Sequence, residues 1–192
     1  MIRTKLATLL VLAAVFTGLL IVSGGTAQAQ SLDVYQVAYY SGGATSSSPP
    51  PVNGAIQVIN PGASGGDLCA DIYVFDPSEE MKACCSCIIT PDGLLTLTIF
   101  DVTNNPANGV FSPTGAIKII SDSSCNATAP APTPELRAWI NNVNNGTVTE
   151  SEFEATPLSS RELSGLGALC GAIGNLSGTG ICATASPFCF YP

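Results

Sequence analysis

Between residues 32 and 121, apolar and polar positions alternate in short runs with a period of two. That repeat puts successive side chains on opposite faces of a strand. Residues 32–40 read as a strand with Tyr35, Val37 and Tyr39 on one face, and 55–60 as another with Ile56 and Val58 together. Residues 70–75 are apolar on both faces, Ile72 and Val74 against Tyr73 and Phe75, which predicts a central, buried strand. Residues 94–100 place Leu95, Leu97 and Ile99 inward and Thr96 and Thr98 outward, and 116–121 form a further strand. Turn chemistry separates these runs: residues 61–66, Pro91-Asp92-Gly93 and Pro113-Thr114-Gly115. Asp76-Pro77 reads as a capped turn opening into one turn of helix.

The period changes after a Pro/Ala/Thr stretch at 127–133. Thr133-Pro134-Glu135 reads as a helix start, with Leu136, Trp139, Ile140 and Val143 on one face and Asn144-Asn145-Gly146 as the stop. Residues 147–155 then predict a strand with Glu150, Glu152 and Glu154 on one side. Ser159 and Glu162 form a capping box for a second helix running to about Gly174, with Leu163, Leu166, Leu169, Cys170 and Ile173 inward. The expected fold is α+β and strand-dominated, a β-sandwich-like core with two short helices in the C-terminal third.

The N-terminus follows a different rule. Arg3 and Lys5 precede an apolar run from Leu6 to about Val22, then Ser23-Gly24-Gly25 and an A-x-A site at Ala27-Gln28-Ala29. A positive head, an apolar middle and a small-residue end describe a cleavable signal peptide, residues 1–29, with Gln30 as the new N-terminus. Residues 30–53 are then an N-terminal strand arm with a Ser/Gly/Pro linker, and 54–192 a β-rich domain. No second long apolar stretch follows, so the mature chain is expected to be secreted, without membrane association after cleavage.

Export changes the meaning of the cysteines. All eight (Cys69, Cys84, Cys85, Cys87, Cys125, Cys170, Cys182 and Cys189) lie beyond the cleavage site, and an oxidising compartment makes disulfides their default state. Adjacent Cys84 and Cys85 point opposite ways on an extended chain and are expected to take different partners. Cys170 and Cys182 flank a Gly-rich turn and read as a local pair; Cys189 reads as an anchor for the tail. The competing reading of Cys84-Cys85-Ser86-Cys87 as a metal or redox centre lacks histidine, and Cys85 interrupts the C-x-x-C spacing. No metal and no cofactor is expected.

Cleavage removes two of the six basic residues and none of the fourteen acidic ones, leaving a net charge of about −10. A chain with four scattered cations offers no nucleic-acid groove. With no histidine, no hydrolytic triad of the usual kind can form, and no nucleophile elbow, phosphate loop or dinucleotide fingerprint is present. Carboxylates remain the one route to catalysis: Asp76, Glu79 and Glu80, or Glu150, Glu152 and Glu154. The first set reads more simply as a capped turn and the second as a solvated edge strand; either could also bind calcium. Asn126, Asn145 and Asn175 head formal glycosylation sequons.

Residues 68–76 (Leu-Cys-Ala-Asp-Ile-Tyr-Val-Phe-Asp), then Glu79-Glu80-Met81 and Cys84-Cys85-Ser86-Cys87, resemble a group of uncharacterised secreted bacterial Cys-rich proteins of the Acidobacteria type. The stretch 115–121 and the helix around 162–173 resemble them too. The resemblance implies bacterial secretion and supplies no catalytic residue.

The leading expectation is a non-enzymatic extracellular structural or cell-surface protein. One version is a filament subunit whose assembly strand, carrying Tyr35, Val37 and Tyr39, adds to the sheet of another copy; its partner is then itself. The bland counterpart is that the arm pairs within its own chain. The rival classes are a glycan- or small-ligand-binding module, with Tyr35, Tyr39, Tyr40, Trp139 and Tyr191 as candidate aromatics and Trp139 expected in the core, and a carboxylate-based hydrolase.

Overall fold

A computed structural model describes residues 34–41, 54–103, 112–144, 147–177 and 188–190. These fall within one compact unit, Ser31–Pro192. The proposed signal peptide, the linker 42–53, Cys182 and Tyr191 lie outside the described residues.

The elements in order are β1 (Tyr35–Ser41), β2 (Ala55–Ile59), β3 (Leu68–Phe75), β4 (Met81–Ile89), β5 (Leu94–Thr98), a single-turn α1 (Ile99–Thr103), β6 (Thr114–Asp122), β7 (Arg137–Asn144), β8 (Thr147–Glu152), β9 (Glu154–Ala155), the long helix α2 (Ser160–Ser177) and β10 (Cys189–Phe190). They build two sheets, a six-stranded one in the order β10-β4-β3-β6-β1-β9 and a four-stranded one in the order β5-β2-β7-β8. Every described ladder is antiparallel.

Strand β3 sits inside the larger sheet and is buried along its whole length, as its two apolar faces predict. Ala70, Ile72 and Val74 join Ile117 and Ile119 of β6, Ile56 and Val58 of β2, and Ile140 of β7 in one core that both sheets supply. Each fully buried isoleucine there stabilises the fold by roughly 1.5–3 kcal/mol. Tyr73 and Phe75 face the other way, into a second cluster with Tyr35, Cys84, Ile120, Ala127, Leu166 and Cys170. The outer face of the larger sheet is therefore covered too, by α2 and by the segment that follows β6.

Strand β4 reads out its cysteines by parity. Cys84 lies in the outer cluster and bonds Cys170 of α2, while Cys85 and Cys87 lie in the inter-sheet core. Cys87 bonds Cys189 and ties β10 to the sheet edge, and Cys69 bonds Cys125 beyond β6. Cys85 is disulfide-bonded as well. The divergent partners of Cys84 and Cys85 and the anchoring role of Cys189 match expectation. The local Cys170–Cys182 pairing does not: parity aims Cys84 at the helix that covers its face.

Other expectations need correction. The segment read as the first C-terminal helix is strand β7. Leu136 and Ile140 are four apart, as are Trp139 and Val143, and a spacing of four fits one face of a helix and one face of a strand alike. Leu136, just before the strand, and Ala138 and Ile140 within it are buried, and Trp139 is only partly covered on the opposite face rather than in the core. Glu135, expected in the first helical turn, has φ 143°, which no helix accommodates. Among the described residues the C-terminal third thus carries one helix, not two.

The predicted strand 147–155 is broken at Phe153, whose buried ring sends β8 to the smaller sheet and β9 to the larger. Glu150 and Glu152 therefore lie on a different sheet from Glu154. The strand beginning at Leu94 stops at Thr98, where α1 starts. After Asp76 the chain makes a non-helical hairpin turn: Asp76 Oδ1 accepts the N–H groups of Ser78 and Glu80, and Glu79 takes φ 64°. Gly54 shows why one glycine is required; at φ 85°, an added Cβ would lie 1.7 Å from the Asn141 carbonyl oxygen.

The Cys84–Cys170 bridge closes a sequence separation of 86 residues. Replacing both cysteines by alanine is expected to lower stability by about 2–4 kcal/mol, read as a lower urea midpoint, with the far-ultraviolet spectrum retained.

Candidate functional site

Three zones follow one another along the outer face of the larger sheet, and a fourth feature is the seat of β1. The first zone is acidic. Asp71 of β3 and Ser86 of β4 are register partners, and Asp122 of β6 lies diagonally across on the same face. All three are fully buried. Ser86 Oγ donates to Asp71 Oδ1 and accepts the Ala127 N–H at 3.1 Å. Asp122 organises the following loop: its oxygens accept the N–H groups of Ser124, Asn126 and Ala131 at 3.0, 2.9 and 2.6 Å, and the Ser124 hydroxyl. Tyr73 donates to the Ala127 carbonyl at 2.9 Å.

Among the described residues no basic side chain bonds either carboxyl. Burial raises Asp71 to about 8, against the hydrogen bond from Ser86 and with the added push of the Asp122 charge and its hydrogen bond. Asp71 is therefore the protonated member. Its Oδ2 is buried and has no hydrogen-bond partner among the described residues. No group of three or more potential metal ligands gathers among the described residues.

The second zone is the Cys84–Cys170 bridge with Tyr35, Tyr73 and Leu166 around it. The third is an open cleft of about 810 Å³ beside α2, with Phe75, Ala116 and Leu166 in its lining. Lys118 Nζ sits 4.7 Å from the centre of the Phe75 ring and 2.6 Å from Glu162 Oε1. That oxygen also accepts the Tyr35 hydroxyl at 2.9 Å, while the Glu162 N–H bonds Ser159 Oγ in the expected helix cap. Lys118 thereby holds the Glu162 carboxyl below its usual range, and burial with the neighbouring carboxylate raises Tyr35. Tyr39 and Leu169 stand at the cleft, 80% and 47% exposed, so Leu169 is not the inward residue its helical spacing implied.

The seat of β1 is built largely from backbone. On one side β1 pairs with β6 over seven residues, and on the other it meets β9 at Gln36 and Val37. Ser121 N–H bonds the Val34 carbonyl, and Thr156 N–H bonds that of Tyr35. Gln36 is buried and reaches the smaller sheet: its amide donates to Leu136 O at 2.6 Å and accepts from Ala138 N at 3.2 Å. Ala38 and Tyr40 enter the inter-sheet core; Tyr35, Val37 and Tyr39 share the outer face, where Tyr35 is buried and Val37 half-buried.

The predicted carboxylates separate on this structure. Asp76 and Glu80 share Lys82, at 2.9 and 2.7 Å, which holds Asp76 below its usual range. Glu150 and Glu152 are exposed on β8. Sequence reasoning passed over Asp71, Ser86, Asp122, Lys118 and Glu162 as a set; a charged or hydroxyl residue inside a run of strand apolars was the available signal.

No protein-family model matches this chain, and no curated protein does. A solved structure described as Anabaena sensory rhodopsin transducer is similar at a TM-score of 0.40 and 11% identity, over 62% of this chain and 93% of that one.

Two outcomes follow. The unfolded chain loses the Asp71 proton near 3.8, whereas the folded protein keeps it to about 8. Its contribution to stability is complete below the lower value and is lost as pH rises through the upper one. Asp71→Asn removes the titrating group and with it this slope, so the variant is expected to gain on the order of 2–4 kcal/mol over the native protein at pH 8 and little at pH 4, in paired urea titrations. Gln36→Ala leaves Leu136 O and Ala138 N without their buried partner and is expected to cost about 2–3 kcal/mol, read as a lower thermal midpoint.

Proposed function

We propose that this is a secreted, non-enzymatic structural protein of the cell exterior, with a sandwich-like body, whose copies assemble by exchange of strand β1. Disulfides and the absence of a membrane-spanning helix among the described residues accord with an extracellular setting. The carrying observation is how β1 is retained. The chain's cysteines begin at Cys69, so no disulfide holds β1, whereas bridges clamp β3, β4, α2 and β10.

The strand occupies its seat as a bound peptide does, through main-chain ladders and alternate side-chain pockets. Strand addition between copies uses those same bonds. Twelve residues of Ser, Gly, Pro and similar type, 42–53, join β1 to β2.

Ala38 of β1 faces Ile117 of β6, which supplies the test. Ala38→Cys with Ile117→Cys is expected to give a ladder of covalent multimers on a non-reducing gel of the oxidised secreted protein. Cross-linked monomer alone would show that β1 stays in its own chain and would overturn the exchange reading.

A further inference from the structure

We infer that the cleft beside α2 binds a neutral, hydroxyl-rich ring, a saccharide, stacked against Tyr39 and hydrogen-bonded by Lys118 and Glu162. This goes beyond the assembly reading and does not depend on it. The volume, about 810 Å³, lies within the range that encloses small ligands. Tyr39 is 80% exposed on a rigid strand that pairs with Ala116 of β6. The ladder fixes the backbone that presents this ring, so only its side-chain torsions remain to be ordered on binding.

Next to it stand a donor and an acceptor fixed at 2.6 Å from one another. Lys118 has three donor hydrogens, and Glu162 has a second carboxylate oxygen beyond the one shared by Lys118 and Tyr35. A fixed cation–carboxylate pair offers adjacent hydroxyls a donor and an acceptor together.

Charge selects among ligand classes. The cations at this end of the sheet are already matched, Lys118 by Glu162 and Lys82 by Asp76 and Glu80. An anionic ligand would find no free cation and would meet the Glu79 carboxylate at the rim. A cationic ligand would have to displace Lys118 from Phe75 and Glu162. An uncharged polyol disturbs neither pair.

The test is calorimetric titration of the purified full chain with neutral hexasaccharides of glucose, mannose and N-acetylglucosamine, and with tetramethylammonium as the cationic counter-probe. At least one hexasaccharide is expected to bind with a Kd below about 1 mM. Tyr39→Ala removes an exposed ring and is expected to weaken binding at least about tenfold, with the thermal midpoint unchanged. Gly165→Leu places a side chain where an added Cβ meets no atom within 4 Å; it is expected to fill the cleft, abolish binding and leave the fold intact. No binding of any hexasaccharide, preference for tetramethylammonium, or full affinity in either variant would overturn the inference.

Discussion

Burial of β3 on both faces is the constraint from which the rest of this structure follows. A strand with Ile72 and Val74 on one side and Tyr73 and Phe75 on the other cannot be satisfied by a single partner layer. The smaller sheet covers the first side through a shared aliphatic core. The second side is left to α2 and to the segment after β6. Neither is a sheet, and neither gains from ladder hydrogen bonds with β3. Each is instead fastened covalently, α2 through Cys84–Cys170 and the loop through Cys69–Cys125. These two bridges stand where cover has to be held without help from a ladder.

That division explains what could be read from the sequence. The two-faced strand, the alternation at Leu95 and Leu97, the cap at Ser159 and the opposite aim of Cys84 and Cys85 are local properties, carried by residues a few positions apart. The helix expected over 133–146 failed because Leu136, Trp139, Ile140 and Val143 satisfy both periods; only the partner strands β2 and β8 choose between them. The Cys170 pairing failed for a related reason, since closeness in sequence counted for less than the strand face under which α2 lies. Strand β4 was missed because its cysteines invited a chemical reading of a stretch that is a strand. The acidic zone, and the pairing of Lys118 with Glu162, join residues 51 and 44 positions apart or more modestly placed on neighbouring strands, and no periodicity announces such meetings.

The buried acids show how the loop cover is specified. Asp122 accepts the N–H groups of the loop it organises, and burial keeps the Asp71 carboxyl protonated well above the usual carboxylate range. The arrangement joins β3, β4, β6 and the loop through side chains that have no freedom to choose other partners. Its cost is a dependence on pH that an apolar contact would not have.

Strand β1 stands apart from this economy of staples, and it serves two places at once. Ala38 and Tyr40 complete the inter-sheet core, while Tyr39 forms a wall of the cleft and Tyr35 bonds Glu162 beneath it. If β1 passes between copies, the cleft of each receiving subunit is made of two chains: Lys118, Glu162 and Leu166 from one, Tyr39 from the other. A subunit whose seat is empty then lacks both its core strand and its aromatic platform. Strand exchange and ligand binding would be linked, because a ligand that contacts Tyr39 and α2 together binds the filled seat and not the empty one, and so favours the assembled form by mass action.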